Sequence, residues 1–355
     1  MRVFLFISED GEGCGLAKRV ADEGHRVLVF INNRDARKIG NGIVEKHPET
    51  GTLLSRGTLE KLLHPAPDCV VFTSGAFALE AVELRKKGYN VLCGQYASVS
   101  YQQTLMRTFG VATGESEGVD VCSTGWFNGT SFTGVVHSLR DVEMCDGGKG
   151  PRTSGMGITI FSLGKNKLYL EGLHKLIKPL TKLGYRGPIS LEAVVGEGGL
   201  VGRSIIFSNI EYMIYPLLEI YKGRANDLLY MCATGILKNM DFRSHISLCV
   251  KFKLLYEDQV IGGFDEHNLK HIWLMDVDKQ GDTYTGIGYT PFSVTAWGAS
   301  VDKYSPLRDA RCCVVRTIKN LTLGEVIYRE DIGVKVYRVH EWLKTNGWIN
   351  EEERC

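Results

Sequence analysis

No apolar stretch in the 355 residues approaches the roughly 20 that a membrane-spanning helix requires, so no membrane partner is expected. An excess of one charge is also lacking. The 42 Lys and Arg against 41 Asp and Glu leave a formal net charge of +1, so any contact with nucleic acid or a lipid surface would rest on a local patch. The ten cysteines contain no CxxC pair, and only Cys312 and Cys313 are adjacent, which excludes a zinc knuckle and a secreted disulfide framework. The expectation is reduced thiols in a cytoplasm. Internal repeats and low-complexity linkers are absent too. The apolar opening Met1 to Ser8 stops at Glu9-Asp10, too short for a leader, and reads as a first strand.

What is present is a globular composition, 44% hydrophobic, in a chain long enough for two or three domains. Residues 2–31 read strand, glycine turn, helix, strand, with Gly11, Gly13 and Gly15 in the turn. A second unit follows: Cys69-Val70-Val71-Phe72 as a buried strand, Thr73-Ser74-Gly75 as its exit, a helix over 76–87, and a strand over 90–93. Such alternation predicts a parallel sheet with ligands at the carboxyl ends of its strands. The glycine turn fits a ligand-facing loop, and equally a turn that only starts a helix. Further on, strands are expected near 134–137, 158–162 and 189–195, and helices over 168–183 and 307–319. The first of these helices carries Lys175, Lys178 and Lys182, either a solvated face or a means of steering a phosphate-bearing partner.

The stretch Gly150-Pro151-Arg152-Thr153-Ser154-Gly155-Met156-Gly157 combines three glycines, a proline and two hydroxyls, a composition that lets backbone N–H groups approach an anion. It resembles the GPNTGGMG loop of the glycinamide ribonucleotide synthetase family, ATP-grasp ligases that join glycine to phosphoribosylamine. Trp126-Phe127-Asn128-Gly129 and Asp141 stand where that family has its FxDG turn and the aspartate of its DHK segment. Tyr328-Arg329-Glu330-Asp331-Ile332-Gly333 matches its YRxDIG. The resemblance implies an α/β architecture: an N-terminal parallel-sheet βαβ substrate domain (1–95), a shortened connection in place of the ATP lid (96–130), a truncated ATP-grasp-like core (131–235) and a small mixed α+β C-terminal domain (236–355).

The same comparison shows losses. The two family lysines of SKxFxK fall on Val99 and Gln103, and only Gly114 to Gly125 stand where the lid would be. At the EFNxRFGDPE segment the metal-binding glutamate and asparagine fall on Ile206 and Ser208, leaving Glu192 and Glu211 as candidate metal ligands. Acyl-phosphate chemistry needs cations over the phosphates, so the resemblance implies a scaffold that keeps substrate-side loops without its own ATP activation. The favoured expectation is a transferase without a confident cofactor. It would join a glycine-like amino acid amine to a phosphorylated nucleotide or DNA base acceptor, as in phage base hypermodification.

In that reading Gly150, Thr153, Ser154, Gly155, Met156 and Gly157 cradle a phosphate or carboxylate, and Arg152 clamps it. Asp141 orients the amine or accepts its proton, and Gly11, Gly13, Gly15, Ser74 and Gly75 complete the substrate side. For Asp141 a plain turn or cap carboxylate is the other reading, and for Arg329 and Asp331 an ion pair that docks the C-terminal segment. His174 and His271 read as packed or solvated. The alternatives are a ligase using Mg and ATP in a reduced site, with Lys149, Lys165 or Lys167 replacing the missing lysines, and a non-catalytic binding or scaffold protein.

Overall fold

The computed structural model describes residues 1–96, 98–207, 213–299 and 305–349. The first unit contains β1 (Val3–Ser8), α1 (Cys14–Asp22), β2 (Arg26–Ile31), α2 (Arg56–Leu62), β3 (Cys69–Phe72), α3 (Ala78–Lys86) and β4 (Val91–Cys93). Its four strands pair in parallel in the order β2-β1-β3-β4. Phe4, Leu5, Phe6 and Ile7 are all buried, as expected of a parallel strand covered on both faces.

The middle of the chain supplies α4 (Val99–Thr108), β5 (Ala112–Thr113), β6 (Val119–Phe127), β7 (Phe132–Cys145), β8 (Lys149–Leu163), α5 (Lys167–Glu171), α6 (Ile177–Lys182), β9 (Gly187–Gly196), β10 (Gly199–Phe207), α7 (Ile214–Ile220) and α8 (Ala225–Thr234). The last third adds β11 (Ser247–Lys251), β12 (Lys253–Leu254), β13 (Gln259–Ile261), β14 (Ile272–Leu274), β15 (Val277–Gln280), β16 (Thr283–Gly286), β17 (Phe292–Trp297), α9 (Ser305–Lys319), β18 (Val326–Ile327) and α10 (Val336–Thr345). One nine-stranded sheet runs β14-β17-β11-β8-β7-β6-β9-β10-β5, so strands from the middle and the last third share one hydrogen-bonded surface.

Alternation along β11 explains how that sheet is covered. Ser247 donates its hydroxyl to the Pro216 carbonyl of α7 at 2.6 Å, while Leu248 and Val250 join Val314 and Ile318 of α9 in the main core. Helices therefore lie on both faces there. The stretch 96–130 is more than a connection: β6 sits between β7 and β9, with Val121, Trp126 and Phe127 buried, and only residues 114–118 separate β5 from β6. The helix expected over 168–183 is broken into α5, a 3₁₀ turn and α6. Gly172 has φ −113° and ψ −100°, outside the helical range, and a Cβ there would stand 2.8 Å from Leu191.

The parallel-sheet unit is fastened to the rest through α8. Glu23 accepts the Ala225 and Asn226 backbone N–H groups at 2.9 and 2.8 Å, placing a carboxylate on the electropositive start of that helix. Among the described residues no helix is long and apolar enough to cross a membrane.

Candidate functional site

The residues of the glycine-rich stretch form a strand rather than a loop. They begin β8, antiparallel to β7, with Asp141 opposite Gly157, Glu143 opposite Arg152 and Cys145 opposite Lys149, and irregular register after Asp141 and after Glu143. Gly150 and Gly155 have φ of +81° and +127°, backbone that a side chain disfavours. The Gly155 N–H expected to face an anion donates instead to Thr153 Oγ1 at 2.9 Å, and that hydroxyl donates to the Val142 carbonyl, also at 2.9 Å. Met156 is wholly buried in the core. Gly157 has a packing reason: a Cβ there would stand 2.7 Å from both the Cys249 carbonyl and the Ile332 side chain. The absence of a side chain lets the DIG segment lie flat on the sheet.

That contact brings three separate sequence motifs to one place. Asp141, 1% exposed, accepts the Gly333 N–H at 3.2 Å and stands 3.5 Å from Arg329 and 3.7 Å from Lys335. Arg329, with no exposed side-chain surface, holds Asp331 through Nε at 2.7 Å and Nη2 at 2.8 Å, and donates to the Glu143 carbonyl at 3.1 Å. Two-point pairing of this kind fixes orientation as well as charge. Asp331 also accepts the Gly147 N–H at 2.8 Å. Burial pushes Asp141 up from the usual carboxylate range against the opposing pull of Gly333, Arg329 and Lys335. Asp331 is likewise penalised by burial, but Arg329 and the Gly147 N–H prevail and hold it down at about 2. Asp141 is thus a buried partner that seats Gly333 and Arg329.

Beside this cluster, a cavity of about 170 Å³ opens on the face of the sheet, lined by Asp120, Arg140, Glu143, Arg152, Glu192, Arg203 and Lys335 among others. Arg140 pairs with Glu192 at 2.6 Å, Arg203 with Asp120 at 3.7 Å and Lys335 with Glu143 at 3.2 Å. Among the described residues no carboxylate lies within ion-pair distance of Arg152, which is exposed. Glu143 is raised by burial but lowered more by a backbone hydrogen bond, Lys335 and Arg152, and ends below its ordinary value. It is therefore ionised near neutrality.

Of the expected site residues, Arg152 and Glu192 line this cavity and Asp141 adjoins it through Lys335. The N-terminal residues do not reach it. Gly11 packs on Ile39, where a Cβ would stand at 2.6 Å, and Gly15 on the Leu274 carbonyl, at 2.9 Å. Gly13, with φ +87°, starts α1, and Ser74 caps the turn holding Gly75 by accepting the Ala76 N–H at 3.1 Å. Glu192 is committed on both oxygens, to Arg140 and, at 2.6 Å, to the Ser204 hydroxyl. Glu211 lies outside the described residues. Among those described, no group of three or more His, Cys, Asp or Glu is placed to hold a metal, and Glu192 in its present pairing does not fit a divalent ion. Arg140, Glu143, Arg203 and Lys335 were not singled out from the sequence. Arg140 and Glu143 flank Asp141 closely on the same strand, a signal that could have found them.

No protein-family model matches the chain, and no curated protein does. Among solved structures, phosphoribosylamine–glycine ligase from Thermotoga maritima superposes with a TM-score of 0.64 at 14% identity, covering 93% of this chain and 99% of that one. N5-carboxyaminoimidazole ribonucleotide synthetase from the same organism gives 0.53 at 12% identity, over 92% and 99%. The biotin carboxylase domain of Hydrogenobacter thermophilus 2-oxoglutarate carboxylase, solved with MgADP and bicarbonate, gives 0.60 at 11%, over 99% and 96%. Identities this low speak of architecture, and that architecture is the ATP-grasp fold.

Proposed function

We propose that this chain is an enzyme of the carbon–nitrogen bond-forming kind that joins an amino acid amine to an acceptor already activated by phosphate or pyrophosphate. The observation that carries the reading is Arg152. It is a cation without an ion-pair partner among the described residues, in a basin whose other cations are each matched to a carboxylate. Such a residue suits a leaving group that arrives with its own negative charge.

The amine lone pair forms the bond to the acceptor's methylene carbon as the carbon–oxygen bond to pyrophosphate breaks. Pyrophosphate departs with the electron pair against Arg152, and the proton released from nitrogen passes to Glu143 or to water. Holding both reactants in line contributes several kcal/mol to such a displacement. Asp141 acts at one remove, by seating Gly333 and Arg329 behind Glu143. A pyrophosphorylated hydroxymethyl-pyrimidine, free or in DNA, fits the chemistry required of the acceptor.

The ATP-grasp fold itself favours a second reading, an ATP-dependent ligase. Against it, Lys165 and Lys167 lie over the rings of Tyr169 and Trp348, at 5.8 and 4.2 Å, and neither lines the sheet-face cavity. The test is incubation with labelled glycine and an oligonucleotide carrying 5-(pyrophosphoryloxymethyl)uracil, without ATP. Label on the base with stoichiometric pyrophosphate is expected. Incorporation only when ATP is added would replace this reading by the ligase.

A further inference from the structure

A second cavity, of about 440 Å³, lies between the parallel-sheet unit and the large sheet, where the end of α3, β4 and the turn after α6 meet. It shares no lining residue with the sheet-face basin. Arg85 and Lys86 reach it from α3, Lys182 from the end of α6, and Arg186 from the segment leading into β9; no carboxylate lines it. Glu83 of α3 and Glu171 of α5 are engaged with other lysines, Lys87 at 2.6 Å and Lys175 at 2.9 Å.

Cations are common at helix carbonyl ends, and part of the arrangement has that explanation. Arg186 Nη1 donates to the Ala233 carbonyl near the end of α8, and Arg85 Nη2 to the Cys93 carbonyl ending β4. These bonds do not account for the rest of Arg85. Its Nε and Nη1 are buried without any acceptor. A guanidinium cannot shed its charge, and buried donors left unpaired are rare enough to point to a missing partner. Burial works against the charged form of Arg85 and outweighs the opposing pull of Tyr185 and Cys93, with Arg186 adding a smaller push the same way, a cost that an anion would offset.

We propose that this cavity binds a multiply charged oxyanion, the phosphate or pyrophosphate part of a small molecule. Arg85 and Arg186 hold it at depth, and Lys86 and Lys182 close the mouth. Tyr89 and Thr181 add hydroxyls to the lining. The volume is in the range that accepts a ligand larger than bare phosphate.

The experiment is calorimetric titration of the full chain with sodium pyrophosphate in an Arg152→Ala background, which removes the one sheet-face cation without an ion-pair partner among the described residues. One saturable site is expected. Affinity should fall at least tenfold in Arg85→Met and at least threefold in Lys182→Met. Lys182 is exposed and makes no backbone contact that holds the fold, so Lys182→Met with Lys86→Met decides the matter if Arg85→Met does not fold. Displacement of pyrophosphate by a single-stranded oligonucleotide would identify a polymer backbone as the natural source, and no displacement a free small phosphate; both support the site. Absence of saturable binding, or affinity unaltered by these substitutions, overturns it.

Discussion

Arg152 and Gly157 stand five residues apart on one strand and separate function from packing. Arg152→Ala removes an exposed charge that forms no ion pair among the described residues and only weakly lowers Glu143, so the melting temperature should stay within error of the parent. Binding of a pyrophosphorylated acceptor should weaken by about 1.5–3 kcal/mol, the usual worth of a charge-assisted contact. Equal affinities in calorimetry would leave Arg152 as surface decoration. Gly157→Ala should do the reverse. Its Cβ would press on the Cys249 carbonyl and Ile332, both held in place, and overpacking of this kind costs about 1–3 kcal/mol. A urea midpoint unchanged from the parent would show that the DIG segment can give way.

At the scale of elements, acid should loosen this structure in two steps. His137 of β7 is fully buried and neutral, with Nε2 facing the Gly164 carbonyl at 3.2 Å and Nδ1 the Ser123 hydroxyl at 2.9 Å, and burial lowers it to about 4. A histidine in the unfolded chain titrates near 6.5, so the unfolded state takes up the proton first. The stability His137 contributes is complete above about pH 6.5 and is lost as pH falls to about 4, on the order of 3 kcal/mol in all. Asp331 is depressed to about 2 from the ordinary 3.8, so its contribution is complete above about pH 4 and fades toward pH 2. Urea midpoints measured from pH 7 to 3 should decline through the first window in the parent and stay flatter there in His137→Gln, whatever that variant's absolute stability. Parallel curves would refute the assignment. Asp331→Asn should flatten only the lower window.

For the molecule as a whole, the parallel sheet was legible because period and punctuation agree: the apolar runs Val3 to Ile7 and Cys69 to Phe72 are each followed by a glycine or serine turn and a helix. Less legible was anything that depends on distant residues. Gly157 looked like part of an anion loop because glycine permits both a loop and a close crossing of backbones, and its packing against Ile332 depends on a residue far along the chain. Glu192 looked available for a metal because nothing in the sequence pairs it with Arg140 two strands away. The residues that the fold assembles therefore set the last prediction. Val99, in the first turn of α4, is exposed and Gln103 is uncharged, so the two positions that resemble the family's phosphate-binding lysines offer no cation. Glu192 is neutralised by Arg140 instead of awaiting a divalent ion. Magnesium should therefore add nothing to the affinity for ATP, and any ATP binding should be weak, independent of the metal and competed by pyrophosphate, since only the polyphosphate finds partners. Calorimetry with ATP in magnesium and in chelator reads this directly. Tight binding that appears only with magnesium would mean that Arg140 swings away from Glu192 to admit the ion, and would replace the transferase reading by that of an ATP-dependent ligase.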